Sequence, residues 1–173
     1  MWKGRSLTVL ASVDPGLRLC GLAVFTDGVL TGAYVVRAKG RFDGPEAYWG
    51  IAKEVRIRVG DLPDILIVET PQQYSRSPAP RSSIQVLEGV IGALVAVFAP
   101  CRTVPYFPRE WKGQLPKAVA FTRILSRLTP TEMLVEPNLF VAVRYPTSMW
   151  GHVVDAVGVG LHHLGRFGSA PKF

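Results

Sequence analysis

Cysteine is scarce in this sequence, with only Cys20 and Cys101 among 173 residues. The two lie far apart in apolar surroundings, and neither belongs to a Cys-x-x-Cys pair or to a spacing that builds a zinc site. Both are expected to be reduced core residues. Long apolar runs are missing too. The longest, residues 90–99, is too short to cross a bilayer as a helix. The amino-terminal stretch MWKGRSLTVLASVD leads directly into Asp14 without a small-residue cleavage site. No membrane association is therefore expected, and the anticipated compartment is the cytoplasm. Internal repeats and low-complexity tracts are absent.

Acidic residues are also few. Thirteen Asp and Glu stand against twenty Lys and Arg, a formal net charge of +7. A basic surface attracts polyanions because its side chains displace counterions condensed on phosphates, which makes nucleic acid the natural partner. Apolar residues make up 48% of the chain, enough to bury one sizeable core, so a single domain over residues 1–173 is expected.

The local patterns give an element order. Residues 7–13, 20–26 and 29–37 are rich in aliphatic and β-branched side chains and predict three strands. Asp27-Gly28 between the last two suits a type I′ hairpin turn, and Pro15-Gly16 suits the turn between the first two. From Pro45 the period becomes helical through Ala47, Ile51, Val55 and Val59, with Gly60 as the stop. The continuous apolar run 65–68 predicts a strand buried on both faces that delivers Glu69 at its carboxyl end.

The proline- and arginine-rich residues 71–81 predict an exposed loop. A helix follows to Phe98, with Ser82 and Gln85 as its capping box. Residues 102–107 predict a strand that Pro105 pushes to the sheet edge. Pro116 is expected as the first residue of a third helix. In residues 129–147, Pro130, Pro137 and Pro146 interrupt a candidate strand at 139–143. Ser148 then caps a last helix that Gly165 ends. Three strands in a meander followed by crossover units predict an α/β fold with a mixed central sheet flanked by helices.

One constellation carries chemistry. Metal-assisted hydrolysis of a phosphodiester needs carboxylates converging from different elements so that two cations roughly 3.5–4 Å apart can stabilise the attacking and leaving oxygens. Asp14 ends the first strand and Glu69 ends a buried one. Asp155 lies within the apolar run Val153-Val154-Asp155-Ala156-Val157, where an unpartnered charge is costly. His152 precedes it by three residues and so shares its helical face. Each residue alone also has an ordinary reading, as a turn residue, a solvated strand end or a histidine satisfied by backbone. The joint arrangement is what points to a site.

At these residues the chain resembles the RuvC family of Holliday-junction resolvases, within the RNase H-like superfamily. The resemblance rests on DPGLRLCG (14–21), DILIVET (64–70) and HVVDAVGVGLHHLGR (152–166), with YFPREWKGQLPK (106–117) as a shortened form of the family's lysine-bearing segment. It implies an RNase H-like fold and endonuclease activity dependent on Mg2+ or Mn2+ in a two-metal site. Asp14, Glu69, His152 and Asp155 would be both catalytic residues and metal ligands. Histidine in place of a more familiar carboxylate brings manganese into competition with magnesium.

Lys112, Lys117, Arg76 and Arg81 are candidates for DNA backbone contacts, and Tyr74 for stacking on a base. His162 and His163 are expected at the helix-terminal carbonyls. A four-way junction cut at two symmetric points implies a homodimer, with the apolar face of residues 82–98 as the place to look for its interface. The alternatives are an RNase H-like nuclease for flaps, single strands or RNA, and a nucleic-acid-binding module without catalysis.

Overall fold

A computed structural model describes residues 8–39, 44–71 and 81–167. Strands β1 (Val9–Asp14), β2 (Leu19–Thr26) and β3 (Val29–Arg37) are followed by helix α1 (Pro45–Val59), strand β4 (Ile65–Glu69), helix α2 (Arg81–Phe98) and strand β5 (Arg102–Tyr106). Five helices complete the order: α3 (Pro108–Trp111), α4 (Lys117–Leu125), α5 (Pro130–Met133), α6 (Leu139–Arg144) and α7 (Trp150–His163).

The strands form one sheet in the order β3-β2-β1-β4-β5, antiparallel across β1, β2 and β3 and parallel from β1 through β4 to β5. This is the mixed α/β architecture expected from the element order. Asp27 and Gly28 both have positive φ, 49° and 79°, as a type I′ turn requires, and the register pairs Thr26 with Val29 across it. β5 lies at the edge, where Pro105 removes no ladder bond that an inner strand would need.

Strand alternation divides the core in two. On one face Ala11, Val13, Leu22, Leu66 and Val68 pack under α1 and α2. On the other Leu10, Ala23, Phe25 and Ile67 pack under α7, which α4 and α6 cover in turn. A period of two therefore puts Leu10, Ser12 and Asp14 on the α7 face of β1, and Ile65, Ile67 and Glu69 on the α7 face of β4. Both acids are aimed at the same helix by alternation alone.

Helix α7 is apolar all round, with every residue from 153 to 161 buried, because the sheet lies below it and other helices above. Its close seat depends on glycine. A Cβ on Gly21 would stand 1.9 Å from the carbonyl oxygen of His152, so only glycine lets the first turn of α7 descend onto β2. Gly21 pairs with Asp14 in the β1–β2 register, so the same contact brings His152 beside Asp14. At the far end the N–H groups of Gly165 (φ 69°) and Arg166 close on the carbonyls of His162 and Leu161, a Schellman stop at the predicted glycine.

Several expectations are corrected. The candidate strand at 139–143 is helix α6, since Leu139, Ala142 and Val143 follow helical spacing and face α4 and α7. Helix α2 begins at Arg81, which places Ser82 inside the first turn rather than at the cap. Pro116 is the cap residue of α4, with extended ψ of 141°, and Lys117 is the first helical residue.

Met149 rather than Ser148 occupies the cap position of α7, and the buried Ser148 hydroxyl has no hydrogen-bond partner. Cys20 is buried and free, but Cys101 is free and only half-buried at the margin of the core. No helix among the described residues is long and apolar enough to cross a membrane.

Candidate active site

The carboxyl ends of β1 and β4, the first turn of α7 and the segment 111–117 meet at one place. His152 Nδ1 lies 2.6 Å from Asp14 Oδ2. Lys112 Nζ stands 3.1 Å from Asp155 Oδ1 and 3.4 Å from both carboxylate oxygens of Glu69. Lys117 Nζ is 3.7 Å from Asp155 Oδ2. The four predicted acid and histidine residues thus form two adjoining pairs, Asp14 with His152 and Glu69 with Asp155 through Lys112, and Asp14 acts electrostatically on both other acids. The carboxylates are nearly enclosed, with side-chain exposures of 13% for Asp14, 12% for Glu69 and 6% for Asp155.

Enclosing several acids together has an electrostatic consequence. Burial, then the charges of Asp14 and Asp155, push the Glu69 carboxyl up to about 8 against the opposing pull of Lys112. Asp155 is raised by burial and by Asp14, with Lys112 and Lys117 opposing. His152 is raised chiefly by its hydrogen bond to Asp14, despite partial burial. For Lys112 burial favours the neutral amine, but Asp155 and Glu69 outweigh it and hold the ammonium. Burial and the neighbouring acids thus disfavour the ionised forms of Glu69 and Asp155, a perturbation of the kind that clusters at functional sites.

The donor types suit a hard divalent cation: carboxylate oxygens with one imidazole match magnesium or manganese better than a soft metal. Even so, no group of three His, Cys, Asp or Glu side chains among the described residues is already arranged to hold a metal ion. The Lys112 ammonium lies between Glu69 and Asp155, and His152 holds Asp14. The ligands fit the cation in kind, while in the structure Lys112 pairs with Glu69 and Asp155 and His152 is hydrogen-bonded to Asp14.

Trp111 is a site residue that pattern reading passed over. Its indole Nε1 donates to Glu69 Oε2 at 2.9 Å, and its ring lies 4.7 Å from Lys112 Nζ. The ring is buried against Gly158 of α7, where a Cβ would come within 2.3 Å of it. The lysine-bearing segment 106–117 contains the short helix α3, opened by Pro108 and by a hydrogen bond from the Phe107 N–H to Glu110. An amphipathic Trp-Lys pair next to a proline-started turn was the available clue.

His162 and His163 are not at the terminal carbonyls, which the Schellman stop already satisfies. Tyr106 of β5 meets the ring of His162 edge-on at 5.0 Å and places its hydroxyl 3.0 Å from His163 Nδ1. Tyr74 and Arg76 lie outside the described residues, and for Arg81 only its place in α2 is described.

No protein-family model matches this chain, and no curated protein sequence matches it. Solved structures do share its fold, that of the RuvC-type, RNase H-like proteins. RuvC from T. thermophilus in complex with a Holliday junction substrate matches at a TM-score of 0.53 and 21% identity, over 94% of this chain and 98% of that one. A second Thermus thermophilus RuvC structure matches at 0.53 and 20% identity, over 91% and 93% of the two chains. The yeast mitochondrial Holliday junction resolvase Ydc2 matches at 0.53 and 8% identity, over 91% and 78%.

Proposed function

We propose that residues 1–173 form one metal-dependent endonuclease domain that hydrolyses DNA phosphodiesters, with branched DNA, and the Holliday junction in particular, as its substrate. The observation that carries this reading is the convergence of Asp14, Glu69, His152 and Asp155 from two strand ends and a helix into one enclosed cluster that also holds Lys112. The likeness in fold to two junction resolvases supports it, as does the net charge of +7.

Asp14, Glu69, His152 and Asp155 are the residues that would hold Mg2+ or Mn2+. The bound cations would supply an activated water and charge neutralisation for in-line displacement at phosphorus, leaving a 5′-phosphate and a 3′-hydroxyl. The chain's own groups prepare that step. Trp111 fixes Oε2 of Glu69, and His152 orients the Asp14 carboxylate through Oδ2. Lys117, about half exposed at the start of α4, offers its ammonium to a phosphate oxygen at the rim. Tyr74, Arg76 and Arg81 extend the DNA contact outward, Tyr74 by stacking.

Two symmetric incisions require two such sites, hence a homodimer. Its interface would include the shallow apolar depression that Val86 and Leu87 of α2 line together with Leu17. The free cysteines suit a reducing compartment such as the cytoplasm.

A synthetic four-way junction incubated with Mg2+ or Mn2+ tests this: wild type cuts it near the branch and Asp155→Asn does not. Equal rates on linear duplex, flap and junction would remove the junction assignment and leave a general nuclease. One observation favours a second reading, a nucleic-acid-binding module without catalysis, since Lys112 already neutralises two of the acids. Metal-dependent cutting that Asp14→Asn abolishes rejects it.

A further inference from the structure

We infer that Lys112 is a built-in counter-ion that fills the cation position between Glu69 and Asp155 in the metal-free protein and has to leave it when a divalent cation enters. The inference rests on the metal-site reading above and concerns what the chain does before the metal arrives.

The Lys112 ammonium is 3.1 Å from Asp155 Oδ1 and 3.4 Å from both oxygens of Glu69, so it bridges two acids that come from different elements. Divalent magnesium or manganese needs the same oxygens at roughly 2.0–2.2 Å. A dication in contact with those oxygens would sit within a few ångströms of the ammonium, and in so enclosed a pocket their repulsion is weakly screened. The two cations therefore compete for one seat.

The local structure suits a side chain that swings while its root stays still. Trp111, the residue before Lys112, is anchored by burial beside α7 and by its hydrogen bond to Glu69. Lys112 is the last residue of the α3 turn, and Gly113 with φ of 63° turns the chain away after it. The side chain is 23% exposed, so it is not sealed from solvent. Lys117 is 3.7 Å from Asp155, pairs with no other acid among the described residues and is 45% exposed, so it need not move. Once displaced, the Lys112 ammonium lies at the rim, where a DNA phosphate would arrive. One lysine then serves first as a substitute for the metal and afterwards as a phosphate contact, and metal entry prepares the DNA site.

Calorimetric titration of Mn2+ into wild type and Lys112→Met, without DNA, tests the competition. Lys112→Met is expected to bind Mn2+ about tenfold more tightly. Its metal-free form should melt below wild type, and Mn2+ should restore it. A measurement on wild type alone avoids dependence on the variant's folding: acetylation of Lys112, followed by peptide mass spectrometry, should rise several-fold on saturation with Mn2+, while Lys117 changes little. Equal Mn2+ affinity in wild type and variant, or Lys112 acetylation indifferent to Mn2+, overturns the inference and leaves the metal site standing. Failure of both proteins to bind Mn2+ overturns the metal-site reading and this inference with it.

Discussion

Two buried acidic regions on the α7 face show how differently one chain can treat a carboxylate. Glu132, at 1% exposure, is held by two hydrogen bonds from Arg166, at 2.5 and 2.7 Å, and by the N–H groups of Leu30 and Thr129, each at 2.8 Å. Burial raises its pKa, but these donors outweigh that and draw it down to about 2. At the other region Glu69 and Asp155 share Lys112, repel Asp14 and each other, and have their pKa values raised. The first carboxylate is saturated with donors and ties α5 to β3 and to the end of α7. The second pair has lysine partners that do not outweigh burial and the neighbouring acids. Saturation is what a structural acid needs, and incomplete satisfaction is what a ligand needs.

The largest way to sharpen the contrast is Asp155→Asn. Junction cleavage should fall about a thousandfold or more, since a metal ligand is lost. The metal-free melting temperature should not fall, because the substitution removes a charge the fold holds at a cost. Glu132→Gln should do the reverse. It leaves Arg166 with no carboxylate and costs about 3 kcal/mol in denaturant unfolding. Cleavage at a temperature where the variant stays folded should be unaffected.

The next test uses pH on the metal-free protein. Glu69 binds its proton more tightly folded than unfolded, so stability should fall as pH rises from its ordinary 4.5 toward about 8. His152, also raised, contributes stability that is full below its unfolded value of 6.5 and is lost as pH climbs through its folded value, so it adds to the same slope. Glu132 has the opposite sign. Its contribution is present above 4.5 and is lost as pH falls toward about 2. Thermal melts from pH 3 to 8.5 should therefore show a maximum in the mildly acidic range, and Glu69→Gln should flatten only the alkaline side.

The smallest effect expected is that of Thr129→Ala. It removes the side-chain cap on the Glu132 N–H and should lower stability by about 1 kcal/mol, readable by urea titration.

Particular residues explain how far the sequence could be read. The hairpin at Asp27-Gly28, the glycine stop at Gly165 and the strand ending at Glu69 are local matters, settled by backbone preference or by an apolar run bounded by turns, and the structure agrees at each. The α6 segment could not be read that way. Five or six apolar residues between prolines suit either a strand or a helical turn until a partner surface is known. Trp111 was missed because its partner, Glu69, is 42 residues away and the hydrogen bond between them has no local trace.

His152 and Asp155 were legible because an acid in an apolar helix is anomalous in itself. Glu132 was equally buried but gave no such warning: Arg166, which neutralises it, lies beyond the whole of α7.

By itself the sequence determined the five strands, helices α1, α2, α4 and α7, and the alternation that turns Asp14 and Glu69 toward one face, since these follow from side-chain period and turn chemistry over a few residues. Tertiary structure alone decided for which acids the donors outweigh burial and for which they do not. That depends on distances between groups far apart in the chain, and electrostatic energy in an enclosed pocket is set by distance and burial, neither of which a linear pattern contains.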